Sequence, residues 1–512
     1  MAAHSPSSGL APGLMVCGTA SNAGKSTLVA GLCRLLARRG LRVAPFKSQN
    51  MALNSAVTLS GHEIGRAQFS QAQAAGVEAT VDMNPVLIKP TSDTDAQVVV
   101  NGRPYATMSA AEYHKHKPEL FEMVLDSLAR LRRTFDAVVA EGAGSPAEIN
   151  LAPTDIVNLR VAERGGMNAI VVGDIDLGGV FASLYGTVAL LPTEQRRLVR
   201  GFVINKFRGD PQLLGDATAD LEKRCGIPTI GVLPMLEDVH IDTEDSVALR
   251  DMPIVASDTD RDCTHRAGAH PSTAQLNVAV IAYPCLSNFT DLDPLANEGD
   301  VSLRFVRSVR ELGHPDLIVL GGSKATAADL EWMRTRGLDQ AVATAARKRR
   351  SVLLGICGGY QMLGRTIDDD VESRLGVVEG MGLLDVETRF EHDKMLAHVS
   401  GTAFGAAVTG YQIHHGRVRR KPDGTATPWL WFNQEPDGWC ADEVYGTTLH
   451  GLFESDDFRR AFLTHVATLN GCRYDPDPVP FSERRQRQFD AVADAMEECL
   501  DMSTLLEIMG IS

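Results

Sequence analysis

No uninterrupted apolar run in the chain reaches the roughly 18–20 residues that a membrane-spanning helix requires. The strongest candidate, residues 170–191, is broken by Asp174, Asp176 and several glycines, so no membrane partner is expected. Basic charge is also short. Lys and Arg number 50 against 65 Asp and Glu, a net charge of −15. Without a basic footprint, general nucleic-acid binding is excluded, and an anionic substrate must be met by local basic patches. The nine cysteines are scattered, odd in number and never in C-x-x-C spacing. That excludes a disulfide framework and makes a reducing cytoplasm the expected setting. The first twelve residues lack the basic and apolar regions of a signal peptide. Internal repeats and low-complexity segments are missing too.

What is present is the composition of a globular chain, 512 residues with 44% hydrophobic and 22% charged, enough for two or three domains. Up to about residue 255, short β-branched runs alternate with helical stretches, at 14–17, 41–45, 137–140, 169–172, 201–204 and 229–233. Such alternation predicts an α/β fold with a doubly wound parallel sheet. Periodicity stops over 256–273. A second α/β series follows, with strands expected at 277–282, 317–320, 352–356 and 444–449. The expected organisation is a tail at 1–13, a first domain at 14–255, a linker at 256–273, a second domain at 274–475 and a helical tail at 476–512. In that tail Phe489, Val492, Met496 and Leu500 share one face, which should pack back on a domain.

The segment from Gly18 to Ser26 follows a predicted strand and opens a helix, the context a phosphate-binding loop demands. Backbone N–H groups of such a loop bind phosphate oxygens, and the helix N-terminus adds positive potential. Gly18, Thr19, Ser21, Gly24, Lys25, Ser26 and Thr27 form the expected nucleotide-binding set. Lys25 would reach the β- and γ-phosphates and Ser26 would hold magnesium. Leu28, Leu32, Leu35 and Leu36 make the helix's apolar stripe, and Gly40 suits its end. Glu141, in an Ala-Glu-Gly-Ala-Gly turn after a strand, is the expected second magnesium ligand, and Glu63 a weaker third. Lys47, at a strand end, could meet the transferred phosphate or a substrate carboxylate.

A second motif, Gly355-Ile-Cys357-Gly-Gly359, reads as strand, sharp turn and helix. It is the thiol counterpart of the G-x-S-x-G elbow, in which small neighbours accommodate a nucleophile on a strained turn. A lone cysteine is more often a buried structural thiol. The flanking glycines and the helix N-terminus, which favours the thiolate, set Cys357 apart. Its base is expected to be His450, 93 residues on at the end of an apolar strand. The Gly358 N–H and the loop bearing Gly322 could stabilise an oxyanion.

Five residues between Gly18 and Gly24, rather than four, resemble the loop of dethiobiotin synthetase and its relatives, which activate carboxylates with ATP. The extra loop lysine of partition-type ATPases is missing. The elbow half resembles class I glutamine amidotransferases. Their His is usually followed by Pro-Glu, the Glu completing a triad; here Gly451-Leu452 follow, and Glu454 is the nearest substitute. Further segments are similar to the cobyrinate-amidating family: FKSQNMALNS at 46–55, EIGRAQ at 63–68, MNPVLIKP at 83–90, DIDLGGVFA at 174–182, INKFRG at 204–209, EDSV at 244–247, SNFTD at 287–291 and GYQIH at 410–414. The resemblance covers nearly the whole chain beyond residue 13.

It implies an N-terminal ATP-dependent amide ligase fused to a C-terminal glutamine amidotransferase domain. Glutamine would be hydrolysed at Cys357, and ammonia would pass to a side-chain carboxylate activated as an acyl phosphate. In the family this is repeated at the b, d, e and g carboxylates of a cobyrinic acid a,c-diamide. ATP and magnesium are the implied cofactors, and glutamine and a corrinoid polycarboxylate the partners; association with a second copy is left open. Lys47, Lys89, Arg66, Lys206 and Arg208 are candidate contacts for the corrin carboxylates, with Lys47 and Lys89 foremost. The DVHIDT segment at 238–243 and the pair His414-His415 are expected in a loop and a turn, not at a metal. Two alternatives stand beside this reading: a sister enzyme amidating positions a and c, and a partition-type ATPase switch with an inactive amidotransferase domain.

Overall fold

The computed structural model describes residues 9–92, 94–236, 239, 241, 275–349 and 351–511. The predicted linker, the EDSV segment and most of 238–243 lie outside the described residues. The first body is built on six parallel strands in the order Thr229–Pro234, Val199–Phe207, Asn168–Asp174, Gly13–Gly18, Ala137–Glu141 and Val43–Phe46. Runs such as Leu14, Met15, Val16 and Cys17 are wholly buried, as a sheet covered on both faces requires. The strand bearing the phosphate loop lies inside this sheet, and its loop leaves from the C-terminal edge, where open α/β sheets place their ligands. A second sheet, of Gln49–Met51, Val86–Pro90, Asp95–Val100 and Arg103–Ser109, branches off after the Val43–Phe46 strand.

The second body carries parallel strands Val301–Val306, Leu276–Ile281, Leu317–Leu320, Val352–Ile356 and Val444–Thr447, then antiparallel Glu435–Ala441 and Thr427–Phe432. Beyond them stands a long hairpin, Val386–Ala403 against Ala406–Arg420. His414 and His415 lie in its second strand, which corrects the turn expected there. The hairpin's first strand alternates buried and exposed residues only over 386–390, and a register break between Phe390 and Met395 interrupts it. That break hides it from a period-two reading.

The helical tail packs on the first body. Helix Phe481–Cys499 lies along the phosphate-loop helix Lys25–Arg38, with Phe489, Val492 and Met496 buried between them and Arg34 donating to Asp490 at 2.8 Å. Helix Met502–Met509 follows, its Ile508 carbonyl accepting from Asn168 at 2.8 Å.

The two bodies meet through buried polar contacts. The amide of Asn288 bonds the backbone of Ser55 in both directions, at 3.2 and 3.0 Å. The Tyr411 hydroxyl donates to the Ser55 carbonyl at 3.0 Å and accepts from Asn288 at 3.1 Å. Phe289 N–H donates to Asn54 at 3.2 Å, and His398 meets the Val57 carbonyl at 2.8 Å. Arg66 of the first body pairs with Glu454 of the second at 2.7 Å, and Arg485 of the tail adds to the same carboxylate at 3.2 Å.

Gly31 faces the tail helix so closely that a Cβ would fall 2.5 Å from both Met496 Sδ and Val492 Cγ1. Gly31→Val should therefore cost about 1–3 kcal/mol through overpacking. The check is a lowered thermal midpoint for the first body; an unchanged midpoint would contradict the close helix contact.

Candidate functional site

Two sites emerge. At the first, Gly24 takes a left-handed turn (φ 95°) that turns the chain into the helix. Lys25 folds back so that its ammonium donates to the carbonyls of Ala20 at 2.8 Å and Gly144 at 3.2 Å. Gly18, Thr19 and Ser21 form the start of the loop, with Thr19 N–H bonded to the Val172 carbonyl, and Thr27 stands in the helix's first turn. Glu141 ends the neighbouring strand and is buried. Its Oε1 accepts from Ser26 at 2.7 Å and Lys47 at 2.9 Å, and its Oε2 from Gln71 at 2.7 Å. Burial opposes the charge on Glu141, but Lys47 and these hydrogen bonds outweigh it and hold the carboxyl below its ordinary range. Gln71 carries no signal in the sequence beyond its place in the helix Arg66–Ala75, which begins within EIGRAQ. Asn205 braces the loop by donating to the Ala23 carbonyl at 2.9 Å, and Lys206 bonds the Asn22 carbonyl and Asp174, both at 2.7 Å.

These residues fit a nucleotide and its magnesium. The Lys25 ammonium rests on neutral carbonyls that phosphate oxygens can replace. Ser26 and Glu141 are already in contact, the hydroxyl–carboxylate pairing that holds magnesium in P-loop proteins.

Glu63, expected as a weaker third ligand here, has other partners. Its Oε1 accepts from Lys89 at 2.7 Å and its Oε2 from Lys394 of the hairpin at 2.6 Å. Burial opposes its charge, yet the two ammonium groups hold the carboxyl well below its usual range. A carboxylate with each oxygen committed to a lysine is not disposed to take magnesium. Lys89, expected at the corrin, also donates to Ser55 at 2.9 Å and lines the cavity at Cys357.

That cavity is the second site. Cys357 sits between strand Val352–Ile356 and helix Gly358–Leu363 at φ 50°, ψ −106°, a sparsely populated conformation that only a supporting structure sustains. Its N–H is tied to the Thr447 carbonyl at 2.8 Å. His450 lines the same cavity and is hydrogen-bonded to the thiol. The third member is Asp291, whose Oδ2 lies 2.6 Å from His450 Nδ1 and whose Oδ1 accepts from the Gly451 N–H at 2.8 Å. Burial alone would lower the imidazole, but Asp291 and the thiol group outweigh it and push His450 up to about 10. Glu454, the substitute suggested by sequence, is spent on Arg66 and Arg485 instead. Asp291 closes the SNFTD segment, a signal that marked the position but not its role.

Gly358 opens the helix beside Ser323, and Gly322 backs onto His450, where a Cβ would lie 3.1 Å from Cε1; both expected oxyanion glycines thus flank the site. Tyr411 stacks on His450 with ring centroids 5.5 Å apart, and the two residues exchange backbone hydrogen bonds of 3.0 and 2.9 Å. Gly410 must be glycine for this approach, since a Cβ would fall 2.1 Å from the His450 carbonyl oxygen.

Residues 14–247 match the family of CobQ/CobB/MinD/ParA nucleotide-binding domains, and residues 277–458 match the CobB/CobQ-like glutamine amidotransferase domain. The chain is 49% identical over 502 residues to a cobyric acid synthase of Rhodococcus jostii, covering 97% of this chain and 95% of the relative. It is 50% identical over 504 residues to a cobyric acid synthase of Streptomyces coelicolor, covering 97% and 96%. A solved glutamine amidotransferase aligns with 38% of this chain and 98% of its own at 15% identity, with a TM-score of 0.31.

Asp291→Asn should lower the glutaminase turnover number about 10²–10⁴-fold, the range for a disabled acid–base pair. The raised imidazole gives a second readout. A histidine lifted by its partner contributes stability fully present below its unfolded value, about 6.5, and lost as pH climbs through about 10. Removing the carboxylate should move the alkaline limb of the pH–rate profile down, and an unmoved limb would contradict the triad.

Proposed function

The chain belongs to the cobyric acid synthase family, and from that premise we propose how its two sites divide one reaction. Glutamine-dependent amidation of cobyrinic acid diamide side chains is the activity. The observation that carries our reading is that one chain joins a Cys357–His450–Asp291 triad to a phosphate loop braced on Glu141, with a buried polar seam between them.

At the triad, His450, kept protonated by Asp291, holds the proton that Cys357 has given up while the sulfur attacks the glutamine amide. The backbone N–H groups of Gly358 and the Gly322 loop would stabilise the oxyanion that develops. His450 returns the proton to the leaving ammonia, and water releases glutamate. At the phosphate loop, a corrin side-chain carboxylate attacks the γ-phosphorus of ATP, the bond to the β–γ bridging oxygen breaks, ADP leaves, and the carboxylate becomes an acyl phosphate. Lys25 neutralises charge that builds on the transferring group. Ser26 and Glu141 would hold magnesium, which would supply positive charge against the phosphates. Lys47, anchored on Glu141, stands ready for the reacting carboxylate or the transferred phosphoryl group. Ammonia then displaces phosphate. A carboxylate needs this activation because its oxygen is otherwise a poor leaving group.

The carboxylates served are b, d, e and g of a cobyrinic acid a,c-diamide. One phosphate loop addresses one carboxylate at a time, so the ring must turn or leave between rounds. The setting is the cytoplasm, in keeping with eight described cysteines that are all free.

Incubation with ATP, glutamine and the a,c-diamide should add four amides as stepwise mass increments with partly amidated species between them. A protein that amidates only a and c would instead be the sister enzyme. Cys357→Ala should lose glutamine-dependent synthesis and keep synthesis from free ammonia, whereas Lys25→Ala should lose both. Near-normal ammonia-driven turnover in Lys25→Ala would sink the role given to the phosphate loop.

A further inference from the structure

Glutamine presents an amide at one end and an α-carboxylate at the other. Cys357 and His450 answer to the amide. The cavity they share has another wall, a cluster of charges that the chemistry at the thiol does not use. Lys324 and Lys394 of the second body and Lys89 of the first all line it. Lys324 donates to Glu372, while Lys89 and Lys394 share Glu63 at 2.7 and 2.6 Å. All five side chains are more than four-fifths buried. Three ammonium groups therefore face two carboxylates, and one buried positive charge lacks a match. The neighbouring His414 and His415 add none, since burial holds both imidazoles below their ordinary range. Lys89 registers the surplus. Burial, chiefly, with the charges of Lys394 and Lys324 lowers it to about 8 against the pull of Glu63. A buried charge without a counter-ion is costly, and an anion arriving with the substrate removes that cost.

We infer that Lys89, a residue of the ligase domain, completes with Lys394 the seat for the α-carboxylate of glutamine, so that the glutaminase pocket is finished only across the domain joint. The inference rests on the reading of Cys357 as the glutaminase nucleophile and deepens it. Glu63 offsets part of the charge of both lysines. It is the only carboxylate that bonds both among the described residues. Neutralising Glu63 and neutralising Lys89 break the same ion pair but change the surplus charge in opposite directions.

The test uses the full-length enzyme, with Lys89→Met and Glu63→Gln compared for glutamine KM and kcat and for ammonia-driven amidation. Lys89→Met should raise the glutamine KM about tenfold or more, the scale of one charge-assisted hydrogen bond. Its kcat and its ammonia-driven rate should stay within about twofold. Glu63→Gln should leave the glutamine KM unchanged or lower. If both variants raise KM alike, the pair only holds the joint together and the inference is overturned. Loss of ammonia-driven amidation in Lys89→Met, with a normal glutamine KM, would place Lys89 at the corrin and overturn it equally. Should Lys89→Met not fold, Lys394→Met carries the same expectation. A wild-type enzyme that hydrolysed no glutamine would sink the glutaminase reading itself, which separates the two failures.

Discussion

The hydrogen bonds that tie Ser55 to Asn288 and Tyr411 are the constraint on which the rest depends. They join the short strand Ser55–Val57 of the ligase body to the two segments that hold His450. Asn288 lies three residues before Asp291, which orients His450, and Tyr411 stacks on the His450 ring. Geometry at Cys357 is thereby linked to the position of a strand that starts eight residues beyond Lys47, whose ammonium grips Glu141 beside the phosphate loop. Buried, fully used amides and hydroxyls of this kind have defined geometry and are expensive to break. A purely apolar joint of equal area would tolerate sliding, and sliding would misplace both sites.

Charge follows the same plan. The chain is acidic overall, yet several of its buried cations lie at the two sites. Lys25 and Lys47 face the phosphate loop, and Lys89, Lys324 and Lys394 face the glutaminase cavity. Arg66 and Arg485 meet on Glu454 at the joint. Pairs this buried contribute little net stability over apolar packing, but losing one partner strands the other. Their value lies in fixing which surfaces meet, and in Glu63 holding one lysine from each body.

Much of this was legible in the sequence because strand–helix alternation and the two nucleophile-and-phosphate motifs are local signals. Gly24, Lys25 and Ser26 follow one another, and the elbow around Cys357 spans five residues. His450 was reachable because it ends an apolar strand. Asp291 was not, since the usual Pro-Glu continuation is missing and a carboxylate 159 residues upstream carries no spacing rule. The sequence offers Glu63 as a metal carboxylate and Lys89 as a cation for the corrin's carboxylates, and it carries no signal that the two side chains pair with each other. Their partner Lys394 lies on a hairpin whose broken alternation concealed it. Four family-like segments, at 46–55, 63–68, 287–291 and 410–414, converge at the joint. Their pairing is a property of tertiary structure that no single segment encodes.

If the joint makes one catalytic unit of two sites, nitrogen should travel from glutamine to the corrin without mixing with the medium. The direct measurement is amidation with amide-¹⁵N glutamine in the presence of excess unlabelled ammonium, followed by mass analysis of the product. Retention of ¹⁵N in the new amides, well above the ratio in solution, is the predicted result. Amides labelled only to the bulk ratio would contradict it, for they would mean that the two domains share a chain but not a reaction.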